Sequence, residues 1–192
     1  MHKLIIDVEA TCSMDGSITF ETSEIIEIGA VLVSEDGYIV DTFQSFVEPF
    51  VNKQLSGFCK RLTNISQTDI SKADTLDIVL IDLCHLIAYH FGKNCNIEFC
   101  SWSDFDVVIM RRQMNDINSR RKKKIGIGLT DNFRDLQAEF ARKYKTGKKR
   151  IGLKKAVEYL GMEFAGDQHR AIDDALNTAR VAMYGENLLC TA

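Results

Sequence analysis

The segment from Glu24 to Val33 constrains the fold more than any other. Ile26, Ile28, Ala30 and Leu32 alternate with Ile25, Gly29, Val31 and Val33, so both faces of an extended chain are apolar. A strand of that kind needs packing on both sides, which is the setting of an inner strand in a layered sheet. Residues 3–10 read as a second short buried strand. Ser34-Glu35-Asp36-Gly37 is a hairpin turn signal, and Tyr38 to Val47 is the returning strand. The chain therefore opens as an antiparallel meander, which Pro49, the only proline, interrupts.

Helices and short strands follow. Residues 50–74 are irregular, with a helix expected over Leu55–Arg61. Leu76, Val79, Leu80, Leu83, Leu86, Ile87 and Phe91 recur at helical spacing, which predicts a helix from Thr75 to Phe91 ended by Gly92. Asn96–Ser101 reads as a strand, Val107–Asn118 as a helix, Arg120–Lys124 as a basic loop and Ile125–Leu129 as an edge strand. Helices are expected at Phe133–Tyr144, Leu153–Leu160 and Ile172–Leu188. Three strands followed by alternating helices and strands give an α/β domain with a mixed sheet. At 192 residues, with no linker, one domain over 1–192 is expected.

Composition narrows the setting. No apolar stretch approaches a membrane span, and the N-terminal apolar run stops at Asp7, too early for a signal peptide. The six cysteines form no Cys-x-x-Cys pair, so a zinc site is not expected, and Cys84 and Cys100 read as small core residues of a cytoplasmic protein. The net charge of −3 is unevenly spread. Residues 111–155 hold 16 Lys+Arg against 4 Asp+Glu, a local +12, which leaves −15 for the rest. A charge run is usually a solvated face, but this one also suits a polyanionic substrate.

Five residues carry the chemistry. Asp7 and Glu9 are two apart on a strand and so share a face, at the end of the apolar Leu4-Ile5-Ile6 run. Asp106 opens the helix after the strand at 96–101, where Asp104 competes for the same role. His169 and Asp173 are four apart and share a helix face if the turn at His169 is helical, whereas Asp174 points about 100° away from Asp173. Singly, these are a solvated strand end, a helix-cap acid and a surface histidine. Together they offer oxygen ligands for hard divalent cations, with one histidine beside them. His2, His85 and His90 lie away from the acids and read as tail or boundary residues.

The order and spacing resemble the DEDDh exonucleases of the RNase H-like superfamily. The segments Asp7-Val8-Glu9-Ala10-Thr11-Cys12, Glu24-Ile25-Ile26-Glu27-Ile28-Gly29-Ala30-Val31 and Ser101-Trp102-Ser103-Asp104-Phe105-Asp106 are similar to those of the ERI-type and KapD-like group. Gly152-Leu153-Lys154-Lys155-Ala156 and His169-Arg170-Ala171-Ile172-Asp173-Asp174-Ala175 fit it too. Two local departures are Arg170-Ala171, where relatives often carry a small pair with glycine, and the glycine-rich Ile125–Leu129.

The resemblance implies an RNase H-like five-stranded sheet with strands 1–3 antiparallel and the later ones parallel. It implies a 3′-to-5′ exonuclease with two Mg²⁺ or Mn²⁺ ions, releasing nucleoside 5′-monophosphates from single-stranded ends, RNA favoured over DNA. Asp7 would bridge the ions, Glu9 and Asp173 would complete the shell of the first ion, Asp106 would hold the second ion, partly through water, and His169 would take the proton from the attacking water. Ala10 and Thr11 would meet the terminal sugar through their main chain, and Trp102 or Phe105 the last base. The other readings are a single-strand DNA exonuclease of the proofreading kind, or a regulatory binding module with little catalysis.

Overall fold

In the computed structural model, the described residues are 1–122, 124–126, 128–146 and 150–184. A five-stranded mixed sheet runs in the order β3-β2-β1-β4-β5. Its strands are β1 (His2–Ala10), β2 (Ile25–Val33), β3 (Ile39–Phe46), β4 (Ile97–Ser101) and β5 (Phe133–Asp135). The first three are antiparallel, and β4 and β5 run parallel to β1. The helices are α1 (Gly57–Thr63), α2 (Gln67–Ser71), α3 (Leu76–Phe91), α4 (Asp104–Arg121), α5 (Leu136–Lys143), α6 (Leu153–Tyr159) and α7 (Ala171–Ala182). This is the mixed, helix-flanked sheet that the sequence predicts.

The sheet is covered on both faces because β2 is largely apolar on both, while β1 adds Leu4, Ile6 and Val8 to one and Ile5 to the other. Leu4, Ile6, Val8, Ile28 and Leu32 pack with α3 and α4. Ile5, Val31 and Val33 face the opposite way, into a core built by α5, α6 and α7. All nine residues of β2 are buried. At the turn into β3, Gly37 takes φ 85° and its N–H donates to Ser34 O at 3.0 Å.

Several boundaries differ from those expected. The edge strand is β5, not Ile125–Leu129. Gly126 (φ 65°) and Gly128 (φ 83°) turn the chain there, while Phe133-Arg134-Asp135 pairs with Phe99-Cys100-Ser101; Ile127 lies outside the described residues. The helix α4 begins three residues earlier than expected, because Ser103 caps it by accepting from Phe105 N at 3.3 Å. It also continues through Arg120 and Arg121, so part of the expected basic loop is helical; Lys123 is outside the described residues. The short α2 lies in a segment expected to be irregular, held by a capping box between Ser66 and Asp69. The last helix ends at Ala182, and Gly185–Leu188 of its expected span lie outside the described residues. Cys100 is buried as expected, but Cys84 is only half-buried.

Candidate active site

The site forms toward the carboxyl end of β1, where it runs on past the end of its parallel neighbour β4. Asp7 and Glu9 sit near the end of β1, on the face that α7 covers. Asp106 lies in the first turn of α4, which starts directly after β4. Its Oδ1 accepts the backbone N–H of Val8 at 3.1 Å, which pins the first turn of α4 between Asp7 and Glu9.

The third contribution comes from the start of α7, and Gly29 decides its position. Asp7 and Gly29 are partners in the β1–β2 register. A Cβ on Gly29 would lie 2.1 Å from the carbonyl carbon of Ala171. Only a residue without a side chain lets the α7 backbone come down onto the sheet beside Asp7. The buried Glu27, fully enclosed, fastens the same point. Its carboxylate accepts from Arg170 Nη2 at 2.9 Å, Ala171 N at 3.1 Å and Gln44 Nε2 at 2.6 Å. Arg170 also lies 5.4 Å over the ring of Phe46.

This anchoring settles which acid of α7 enters the site. Arg170 has extended backbone and is the N-cap, so His169 precedes the helix, with φ 63°. The four-residue helical offset between His169 and Asp173 therefore does not exist. Asp174 is the acid that meets Glu9 and His169: ligand atoms of these three lie within 4.8 Å of one another. Asp174 Oδ2 accepts the backbone N–H of His169 at 2.7 Å. Asp173 turns elsewhere. Its Oδ2 accepts Asp167 N at 2.9 Å, and its carboxylate fills the space over Gly166, where a Cβ would come within 2.3 Å of it. Asn177, buried, completes the clamp by donating to the carbonyls of Ala165 and Asp173, both at 2.8 Å. Asp173 thus shapes the loop that carries His169, and it is Asp174, not Asp173, whose carboxylate lies with Glu9 and His169.

The electrostatics fit a cation site. Burial is the largest influence on each acid. It pushes Asp7 well above the carboxylate range, reinforced by Asp106, Asp174, Glu9 and Glu27. Glu9 is pushed up to about 8 by burial and then by Asp174, Glu27 and Asp106, against a smaller opposing pull from Arg170. Asp106 rises to about 7 through burial, although the bond from Val8 opposes it. Asp174 rises to about 6 for the same reason, with the His169 N–H opposing. Arg170 already serves Glu27. Four acids thus converge with little compensating positive charge, and Glu9, His169 and Asp174 form a group able to hold a divalent ion.

The expected substrate contacts divide. Phe105, 39% exposed, stands beside Asp106 and meets Phe20 edge-on at 5.4 Å. Trp102 is only 7% exposed; its indole donates to Ile151 O at 3.1 Å, and it packs edge-on against Phe140. It is a core residue, not a base platform. Thr11 is buried, and its N–H is spent on Glu24 O at 2.8 Å, so that N–H cannot meet a sugar. Ala10, half-buried at the end of β1, remains beside the acids. Of the other histidines, His90 pairs with Asp41 at 2.7 Å and His2 stacks on Phe91 at 4.0 Å.

Glu27, Gly29 and Asn177 escape a reading of the sequence alone. A glycine and a glutamate inside an otherwise apolar strand are the available signal for the first two. The basic stretch is also less free than its count suggests. Arg121 pairs with Asp77, Arg134 with Glu98 and Glu139, and Arg150 with Asp135.

Known proteins resemble this chain in sequence and fold. The chain is similar to human "ERI1 exoribonuclease 2", 31% identical over 199 residues, covering 94% of this chain and 28% of that protein. It is 34% identical to rat "3'-5' exoribonuclease 1", covering 93% of this chain and 51% of that one. The chain thus spans about a quarter to a half of the length of these relatives. Among solved structures, the nuclease domain of 3'hExo, a DEDDh family member bound to rAMP, superposes with a TM-score of 0.80 at 28% identity, covering 99% of this chain and 94% of that one. The family profile described as "Exonuclease" matches residues 4–182, and with that match over nearly its whole length the chain belongs to the RNase_T exonuclease family.

Proposed function

We propose that this protein is a divalent-metal-dependent 3′-to-5′ exonuclease that removes nucleoside 5′-monophosphates from single-stranded RNA ends. The observation that carries this reading is the convergence of Asp7, Glu9, Asp106 and Asp174 with His169 at one edge of the sheet. The exoribonuclease names of the relatives support RNA, as does the likeness to a 3′-exonuclease solved with a histone mRNA stem-loop, at 29% identity and a TM-score of 0.80.

Asp7, Glu9, Asp106 and Asp174 would hold the ions. Their oxygen donors suit magnesium or manganese. Bound there, such ions would lower the pKa of a water and neutralise charge on the scissile phosphate and the leaving 3′-oxygen. The chain's own residues do the rest. His169 accepts the proton of the attacking water. Its backbone, tied to Asp174, fixes where the imidazole starts from. Phe105 offers an aromatic face to the terminal base, and Ala10 lies where the terminal sugar would approach. A catalytic role is favoured over simple binding because the acids are held so close together at electrostatic cost.

Among the described residues no helix is long and apolar enough to cross a membrane. The test is release of mononucleotides from matched 3′-labelled RNA and DNA oligomers with and without magnesium. Faster metal-dependent release from RNA is expected. Faster release from DNA would replace RNA as the substrate, and no release from either would leave a binding module.

A further inference from the structure

We propose that Asn177 is a positioning residue for the base, holding the loop over residues 165–169 in the place that brings His169 to Glu9 and Asp174. This rests on the exonuclease reading and deepens it. The loop has little to hold itself. Phe164, just before it, packs against the core under α6 and α7, but residues 165–169 are all exposed. Two of them have left-handed backbone, Gly166 at φ 78° and His169 at φ 63°. Glycine adopts that region freely, whereas histidine does so at an energetic cost. Strain of this kind persists only where the surroundings over-determine it.

The surroundings here are one helix. Ala171, Ala175 and Ala179 are fully buried, on the side of α7 that packs into the fold. Asp173, Asn177 and Arg180 recur four and three residues apart, so they form a second row along the same helix. Each of the three bonds to the loop or to its approach. Asp173 Oδ2 accepts Asp167 N at 2.9 Å, and Arg180 Nη1 donates to Glu163 O at 2.9 Å.

Asn177, between them, does the most. Its Oδ1 accepts from Ala165 N at 3.1 Å and from Arg180 Nη1 at 2.7 Å. Its Nδ2 donates to the carbonyls of Ala165 and Asp173, both at 2.8 Å. A carboxamide has two acceptor and two donor positions, and all are filled. Both backbone groups of Ala165 are held by one side chain, as a neighbouring strand would hold them. Asn177 is fully buried, so water does not stand in for these bonds when they are lost.

The other end of the loop is tied to the same helix, since Asp174 Oδ2 accepts His169 N at 2.7 Å. The acid and the base are therefore carried by one rigid element. Asn177 touches no reacting atom and acts through His169. A displacement of about 1 Å in a reacting group costs on the order of 10²-fold in rate, so a loosened loop is felt in turnover before it is felt in binding.

The experiment measures kcat and KM for mononucleotide release from a ten-residue ribo-oligomer in magnesium, for wild type, Asn177→Ala, His169→Ala and the double variant. Asn177→Ala should lower kcat by roughly 10- to 100-fold, with KM and the half-saturating magnesium concentration little changed. In the His169→Ala background the same substitution should lower kcat hardly further, because the group it positions is gone. Equal fold losses in the two backgrounds, or a raised magnesium requirement, would overturn the proposal and make Asn177 a residue of the fold or of the ion site. Hydrogen exchange at the His169 amide reads the loop without turnover. Faster exchange in Asn177→Ala, with the sheet amides unchanged, supports the positioning, and unchanged exchange refutes it. If Asn177→Ala does not fold, the half-buried Arg180→Ala carries both measurements, since it removes the bonds to Glu163 O and Asn177 Oδ1. The same pattern with a smaller loss is expected there, and no change in either measurement would overturn the proposal. If the wild type releases nothing in magnesium, the exonuclease reading fails by itself and the exchange measurement decides the loop.

Discussion

In metal-free protein, Glu9→Gln should stabilise the fold at alkaline pH and hardly affect it at pH 5. Burial and the neighbouring Asp174, Glu27 and Asp106 raise Glu9 from 4.5 to about 8. In the unfolded chain Glu9 releases its proton above about pH 4.5; in the folded protein it keeps it until about pH 8. The folded state thus binds more protons across this window, so stability falls as pH rises through it and levels off above it. A tenfold difference in proton affinity between the two states is worth about 1.4 kcal/mol. Glu9 titrates together with its neighbours, so the part removed by the substitution is on the order of 2–4 kcal/mol at pH 8. For a chain of this length that corresponds to roughly 5–15 °C in Tm. Thermal or urea denaturation in a chelating buffer at pH 5, 6, 7 and 8 measures it. The wild type should lose stability steadily, and the variant much less. Magnesium should restore the wild type at pH 8 through binding to the folded state, and restore the variant less. Parallel pH profiles for the two proteins would refute the claim that Glu9 is held in an uncompensated carboxylate cluster.

Gly29→Ala should destabilise the fold by about 2–4 kcal/mol in urea denaturation, because its Cβ would meet the rigid Ala171 backbone at 2.1 Å. Arg170→Ala should cost about 3–5 kcal/mol by leaving Glu27 charged and buried, and adding Glu27→Gln should recover part of that in a double-mutant cycle. Trp102→Phe should lose about 1 kcal/mol with its bond to Ile151 O while leaving KM for oligonucleotides unchanged; a large rise in KM would return Trp102 to the substrate. His169→Ala should lower kcat by roughly 10²–10⁴-fold, with magnesium-dependent substrate binding retained in a filter-binding assay.

The sheet is legible in the sequence because its signals are local and periodic. The all-apolar Ile25–Val33 run and the Ser34–Gly37 turn specify a covered inner strand and its hairpin without reference to the rest of the chain. The convergence of Asp7, Glu9 and Asp106 is legible for a related reason, since the first two end an apolar strand and the third follows one, at the same edge. The α7 acid is not, because its assignment depends on where the helix starts. That boundary is set not by local propensity but by Glu27, 143 residues away from Arg170 in sequence, and by the space over Gly29. The edge strand is displaced for a similar reason: Phe133–Asp135 is too short to show a period and is defined by its pairing with β4. Trp102 reads as core or platform until the carbonyl of Ile151 is placed against its indole.

Asp174, rather than Asp173, is the acid of α7 that lies with Glu9 and His169, and activity can test directly which of the two serves the site. The measurement is the rate of mononucleotide release from a single-stranded RNA oligomer in magnesium, for wild type, Asp174→Asn and Asp173→Asn. Asparagine preserves shape and can still accept a hydrogen bond, so the loop held by Asp173 should survive. The structure predicts metal-dependent release by wild type, a loss on the order of 10²-fold or more in Asp174→Asn, and near-normal release in Asp173→Asn. Full activity in Asp174→Asn with a dead Asp173→Asn would contradict the assignment at its centre.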